Sequence, residues 1–180
     1  DWDNLGQRLT ASGTLQFNRL RLRPQDRLKG LEQQPESAEL RNALRNQFSQ
    51  LIFVHFYLGI AEGALQQAVH YFRETVKPWP ESGVERAIDD PYHRLKAGEL
   101  ASELAAGIAL AEKTAHAFQV AFHAGDTLTE EQFGELAILT DQAKVIANNV
   151  ALKVTHELFE LTGGRSTGNH YGLDIYWRNV

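Results

Sequence analysis

The chain contains neither cysteine nor methionine in 180 residues. Without thiols it has no disulfide, no thiolate nucleophile and no thiolate metal site. Basic charge is in the minority, 18 Lys and Arg against 23 Asp and Glu for a net −5. Non-specific binding to nucleic acid is therefore disfavoured as a main role. No apolar run reaches the roughly 18 residues of a membrane span, and no signal-peptide pattern is present. The expectation is a soluble, cytoplasmic chain with no membrane and no nucleic-acid partner. Asp1 and Val180 read as the edges of a fragment.

The five prolines, Pro24, Pro35, Pro78, Pro80 and Pro91, mark where segments start and stop. Before Pro24, residues 14–23 alternate, with Leu15, Phe17, Leu20 and Leu22 as the apolar set and one slip that suits a β-bulge. This predicts the last strand of a β-domain over residues 1–24. Residues 25–38 are polar, hold Gly30 and Pro35, and read as a linker. From about Ser37 the pattern turns helical. Leu44, Phe48, Leu51, His55, Leu58, Glu62, Leu65, Val69 and Phe72 recur at gaps of four and three, a heptad-like seam. Between Leu51 and Ile60 the sequence is apolar nearly all round, which predicts burial on several sides.

Lys77-Pro78-Trp79-Pro80 stops that helix. A second starts at Asp89-Asp90-Pro91, with acids at its positive end, and runs to about Ala124 before Gly125. Thr129-Glu130-Glu131-Gln132 is a capping box for a third helix that reaches Leu161. Frequent alanine on the second and third helices favours close helix–helix approach. Each long helix has roughly 35 residues, about 50 Å at 1.5 Å per residue. A fourth begins near Tyr171. The fold class is mainly α: an up-down four-helix bundle over residues 39–180, cut before its last helix is complete.

Few residues are suited to chemistry. Gly163-Gly164-Arg165-Ser166-Thr167 follows the third helix. Two glycines permit φ > 0 and a close anion approach, and arginine adds a planar charged fork. Arg73 and Lys77 close the first helix. Cations favour helix C-termini, and the same cations suit a phosphate completed by another segment. His55 and Glu62, inside the expected seam, would need polar partners. His116 and His123 lie seven apart, yet no acid completes a ligand set, so no metal is expected. No Ser-His-Asp constellation can be assigned, and no catalytic residue is identified. Phe53, Phe56 and Tyr57 are candidate walls of a substrate pocket, with core packing as the competing role.

Several segments together carry a resemblance. They are Gly6-Gln7-Arg8-Leu9-Thr10-Ala11-Ser12-Gly13-Thr14, Gln50-Leu51-Ile52-Phe53, Tyr57 through Leu65, Lys77-Pro78-Trp79, Asp90-Pro91-Tyr92, and Tyr171-Gly172-Leu173-Asp174 through Trp177-Arg178-Asn179. The chain resembles the C-terminal part of the acyl-CoA dehydrogenase superfamily. The likeness is nearest to its flavin-dependent monooxygenase branch, typified by dibenzothiophene monooxygenase and sulfur-acquisition oxidoreductases. The resemblance implies a homotetramer with the flavin between a β-domain and this bundle. It also implies reduced FMN supplied by a separate flavin reductase (FAD is the alternative), and oxygen transfer to an organosulfur or similar small apolar substrate. By the same resemblance Arg73 is a phosphate contact, with Lys77 beside it. Gly163, Gly164, Arg165 and Ser166 form a loop that contacts the flavin's phosphate region from a neighbouring subunit. Ser49 stands where some dehydrogenases of the superfamily keep a glutamate base. The alternatives are an FAD-dependent acyl-CoA dehydrogenase and a non-catalytic helical oligomerisation module.

Overall fold

The computed structural model describes residues 2–26 and 38–180. Most of the linker expected over residues 25–38, and the helix start expected at Ser37, lie outside the described residues. Three long helices and one short one follow: α1 (Ala38–Thr75), α2 (Pro91–Ala124), α3 (Glu130–Thr162) and α4 (Asp174–Asn179). Phe48, early in α1, packs on Phe118, late in α2, with ring centroids 5.6 Å apart. Phe72, late in α1, packs on His93, early in α2, at 5.0 Å. The two helices are therefore antiparallel. Lys96, early in α2, meets Glu157, late in α3, at 3.0 Å, which makes that pair antiparallel too. The up-down-up order expected from the sequence is present, with α3 packed most extensively against α1.

The ends of the helices obey local chemistry. Asp90 caps α2 by accepting from the Tyr92 N–H at 2.8 Å, and Pro91 follows at the first helical position. Its neighbour Asp89 is bound instead by Arg86, whose hydrogen bond holds the Asp89 carboxyl below its ordinary range. Thr129 and Gln132 form the expected capping box, with reciprocal bonds of 3.0 and 3.2 Å. Gly125 and Gly163 end α2 and α3 at φ 56° and 72°, a region where a side chain is strained.

The buried seam of α1 differs from the expected one. Leu44, Leu51, Leu58, Leu65 and Phe72 are buried as expected. Their partners on the seam, however, are Gln47, Val54, Ala61 and Ala68, not Phe48, His55, Glu62 and Val69. Both sets fit a three-four repeat, and the smaller residues face the bundle because the helices approach closely. Gly107 of α2 shows how closely: a Cβ there would lie 3.0 Å from a methyl of Leu58. His55 and Glu62 are exposed, so neither needs the buried partner expected for it. The stretch from Leu51 to Ile60 is likewise not enclosed, since Ile52, Phe53 and Phe56 face outward. Contrary to the expectation that no segment is long and apolar enough to cross a membrane, Ala43–Thr75 of α1 is so by length and composition alone, and 28% of its apolar window is buried within the chain.

The strand expected before Pro24 is not formed among the described residues. A lone segment has no ladder partner, and Leu15 remains 82% exposed, with Phe17, Leu20 and Leu22 similarly open.

Candidate functional site

The turn after α3 is a short 3₁₀ segment, Gly164–Thr167. The Gly163 N–H closes α3 on the Phe159 carbonyl at 2.8 Å. The Gly164 and Arg165 N–H groups find no acceptor among the described residues. Nothing lies within 4 Å of where a Cβ on Gly163 or Gly164 would stand. Ser166 departs from its expected role. It is 1% exposed, its hydroxyl donates to the Gly163 carbonyl at 2.6 Å and meets the Thr162 hydroxyl at 2.7 Å. Its N–H also donates to Gly163. Ser166 thus braces the turn and presents no free donor.

Arg165 is exposed and makes no ion pair with a carboxylate among the described residues. It lies near the phenol of Tyr71, a buried residue of α1. Burial raises the Tyr71 pKa, the Tyr171 phenol adds to this, and the Arg165 charge opposes it. The rings of Tyr71 and Tyr171 meet edge to face at 4.8 Å, and His170 packs on Tyr171 at 3.9 Å. This aromatic brace fastens the glycine turn to the end of α1. Sequence reasoning missed it, because nothing in the spacing of Tyr71 and Tyr171 links them.

Arg73 and Lys77 are exposed at the same end of the bundle, again without a carboxylate partner among the described residues. Arg73 borders a groove of about 560 Å³ between α1 and α2, shared with Glu62, Gln66, His70 and Ile108. Arg73 lies two residues from Tyr71, about 200° around a helix, so the two side chains leave α1 on opposite sides. The chain therefore does not gather Arg73 and Arg165 about one point. Each offers an open guanidinium on its own face.

Phe53, Phe56 and Tyr57 form one cluster on the outer middle of α1. Ring centroids lie 6.5, 6.2 and 5.7 Å apart. Phe53 is 47% and Phe56 40% exposed, so core packing within this chain does not account for those two, whereas Tyr57 is half-buried and packs against the core. Lys144 of α3 sits over the Phe53 ring, 5.9 Å from its centroid, and also bonds Gln50. Ser49 is exposed and its hydroxyl donates to the Arg45 carbonyl at 3.1 Å. No group of three or more metal-binding side chains occurs among the described residues.

The first and the last of the segments that carry the resemblance meet in space. The Gln7 N–H donates to Asn179 Oδ1 at 2.8 Å, and Gln7 Nε2 donates to the Asn179 carbonyl at 2.6 Å. Gly6 lies so close to α4 that a Cβ would stand 1.5 Å from the Arg178 carbonyl oxygen. Gln7 itself adopts φ 52°. Sequence alone marked both segments but gave no sign of their contact.

An antiparallel helical bundle with an open arginine-and-glycine turn at one end defines an all-α domain able to receive an anion. The chain belongs to the family described as acyl-CoA dehydrogenase, C-terminal domain, whose model matches residues 51–180. It is 40% identical over 182 residues to a dibenzothiophene monooxygenase of Mycolicibacterium goodii, covering 100% of this chain and 44% of that protein. A structure of methanesulfinate monooxygenase MsuC from Pseudomonas fluorescens matches at TM-score 0.90 and 37% identity, over 99% of this chain and 46% of that one. A complex of TdsC from Paenibacillus sp. A11-2 with FMN and indole matches at TM-score 0.85 and 35% identity, over 99% and 46%. The chain thus spans less than half the length of these relatives.

Proposed function

We propose that this chain is the bundle part of a cytoplasmic, two-component FMN monooxygenase that oxygenates an organosulfur or similar small apolar compound. The observation that carries the reading is the match of the whole chain, at 35–40% identity, to proteins bearing monooxygenase names, one of them with FMN and an apolar heterocycle bound. The residues fit a phosphorylated flavin. Among the described residues Arg165 and Arg73 pair with no carboxylate, the Gly164 and Arg165 N–H groups find no acceptor, and Gly163 and Gly164 leave open space. Donors of this kind recognise phosphate through charge-assisted bonds. When bound, reduced FMN, delivered by a separate reductase, supplies the electrons that activate O₂.

Everything else falls to the chain. Arg165 grips the flavin phosphate from one subunit, with its turn held rigid by Ser166 and by the Tyr71–Tyr171 brace. Arg73, with Lys77 near it, serves the site on its own face, which is why a homotetramer is part of the proposal. Phe53, Phe56 and Tyr57 form an apolar wall that excludes water and receives the substrate. Residues 1–24, with their exposed apolar set, join a β-domain whose other strands pair with them. An FAD-dependent acyl-CoA dehydrogenase remains the alternative chemistry. Ser49, lacking an acid, weighs against a base at that position.

In the full-length protein, Arg165→Ala is expected to raise the FMN dissociation constant about tenfold, measured by flavin fluorescence quenching. An unchanged affinity removes Arg165 from the site. Absence of FMN binding by the unaltered protein overturns the reading and supports a purely structural bundle.

A further inference from the structure

The contact between residues 6–7 and residues 178–179 has no counterpart in the bundle's ordinary packing. Gln7 spends its backbone N–H and its side-chain amide on one residue, Asn179. A two-point attachment fixes orientation as well as distance. The Gln7 carbonyl is in turn held by Trp2 Nε1 at 2.9 Å, by the Thr10 N–H at 3.1 Å and by the Thr10 hydroxyl at 2.9 Å. All of this is built on a backbone that a glutamine rarely adopts, at φ 52°. Gly6, whose missing side chain admits the Arg178 carbonyl, completes the fit.

Such an arrangement adds little to core stability. Arg8, Leu9 and Thr10 are exposed, so the loop buries almost no apolar surface of its own. Ala11 and Arg19 in the same segment also have positive φ, 49° and 51°, so what sets Gln7 apart is its two-point attachment to Asn179. The loop belongs to the segment preceding the bundle. Asn179 ends α4, which is anchored by buried Leu173 and by Tyr176 lying against Gly63 of α1.

We propose that Gln7 and Asn179 are positioning residues, a clasp that holds the segment preceding the bundle at a fixed distance and angle from α4. Resting on the flavin reading above, the clasp sets the separation of the two walls between which the flavin lies. Loosening it admits water and lets the reduced flavin pass its electrons to O₂ unproductively, two electrons and two protons yielding H₂O₂ and oxidised flavin.

The test uses the full-length protein with FMN and compares Gln7→Ala, Asn179→Leu, the double variant and Asn179→Asp. Asn179→Asp keeps an oxygen acceptor for the Gln7 N–H and leaves the backbone carbonyl in place. Loss of the clasp is expected to raise the FMN dissociation constant about fivefold, the scale of one or two net hydrogen bonds. The fraction of reduced flavin released as H₂O₂ should rise with it. Gln7→Ala removes the bond to the Asn179 carbonyl and Asn179→Leu removes the acceptor of the Gln7 N–H. Each single variant therefore keeps one of the two points, the double variant should be the weakest of the three, and Asn179→Asp should recover most of the affinity. Unchanged FMN affinity and H₂O₂ yield in the single variants overturn the clasp and leave the flavin reading intact, even if the melting temperature falls. An Asn179→Asp variant as weak as Asn179→Leu overturns it as well. Failure of the unaltered protein to bind FMN overturns both.

Discussion

The two sides of α1 obey different rules. Its inner seam is made of leucines interleaved with Val54, Ala61, Ala64 and Ala68, all buried. Its outer side carries Phe48, Ile52, Phe53 and Phe56, all substantially exposed. Along the first half of α1 the aromatic residues thus lie away from this chain's core, while Tyr71 and Phe72 near its end are buried. Val54, Ala61 and Ala68 line the inside where the helices approach closely, and the outward aromatic surface is left for something else to cover. Exposed apolar patches of this kind mark interaction sites.

Leu58→Ala cuts into the inner side and is expected to have the largest effect, a loss of about 2–5 kcal/mol in urea unfolding. A cost well under that range would mean the α1–α2 contact is looser than the Gly107 approach implies. Ala61→Leu probes the same side by overfilling it, and should cost about 1–3 kcal/mol. If it stabilises instead, the inner seam has spare room. On the outer side, Ile52→Ser, beside but not part of the substrate wall, should leave the helical circular dichroism unchanged and lower the sedimentation coefficient of the full-length protein. Unaltered sedimentation would show that a second copy does not cover this face.

The smallest effect is expected at the α2–α3 surface. Hydrogen bonds from Lys96 to Glu157 and Glu160 raise the Lys96 pKa above its usual 10.5. The stabilisation this represents is complete below the unfolded-state value and fades as pH rises through the higher folded-state value. Lys96→Met should therefore remove part of the stability loss above about pH 10.5, while moving the neutral-pH melting temperature little, as ion pairs at the surface do. An unaltered alkaline profile would assign that loss to other groups.

Helix order and boundaries were legible because capping boxes, prolines and glycines act locally. Asp90, Thr129 and Gly163 do in space what they announce in sequence. The face of α1 was legible only in part. Leu44 through Phe72 at seven-residue steps was correct, but the positions between could be taken as either of two sets. The repeat of four and three was read through Phe48 and His55, whereas close packing selects Gln47 and Val54. The glycine–arginine turn could be read as an anion site, yet the inward hydroxyl of Ser166 could not, since its partner Thr162 is equally at home facing solvent. Contacts between distant segments, Tyr71 with Tyr171 and Gln7 with Asn179, left no trace in either segment's local pattern.

Gly107 never lines the groove that holds Arg73, although Leu104, Ala105 and Ile108 around it do. Because a Leu58 methyl occupies the room a side chain at 107 would need, the glycine acts as a spacer for the two helices forming that groove. The width available to whatever enters beside Arg73 is therefore governed from inside the bundle, by a residue no visiting molecule touches.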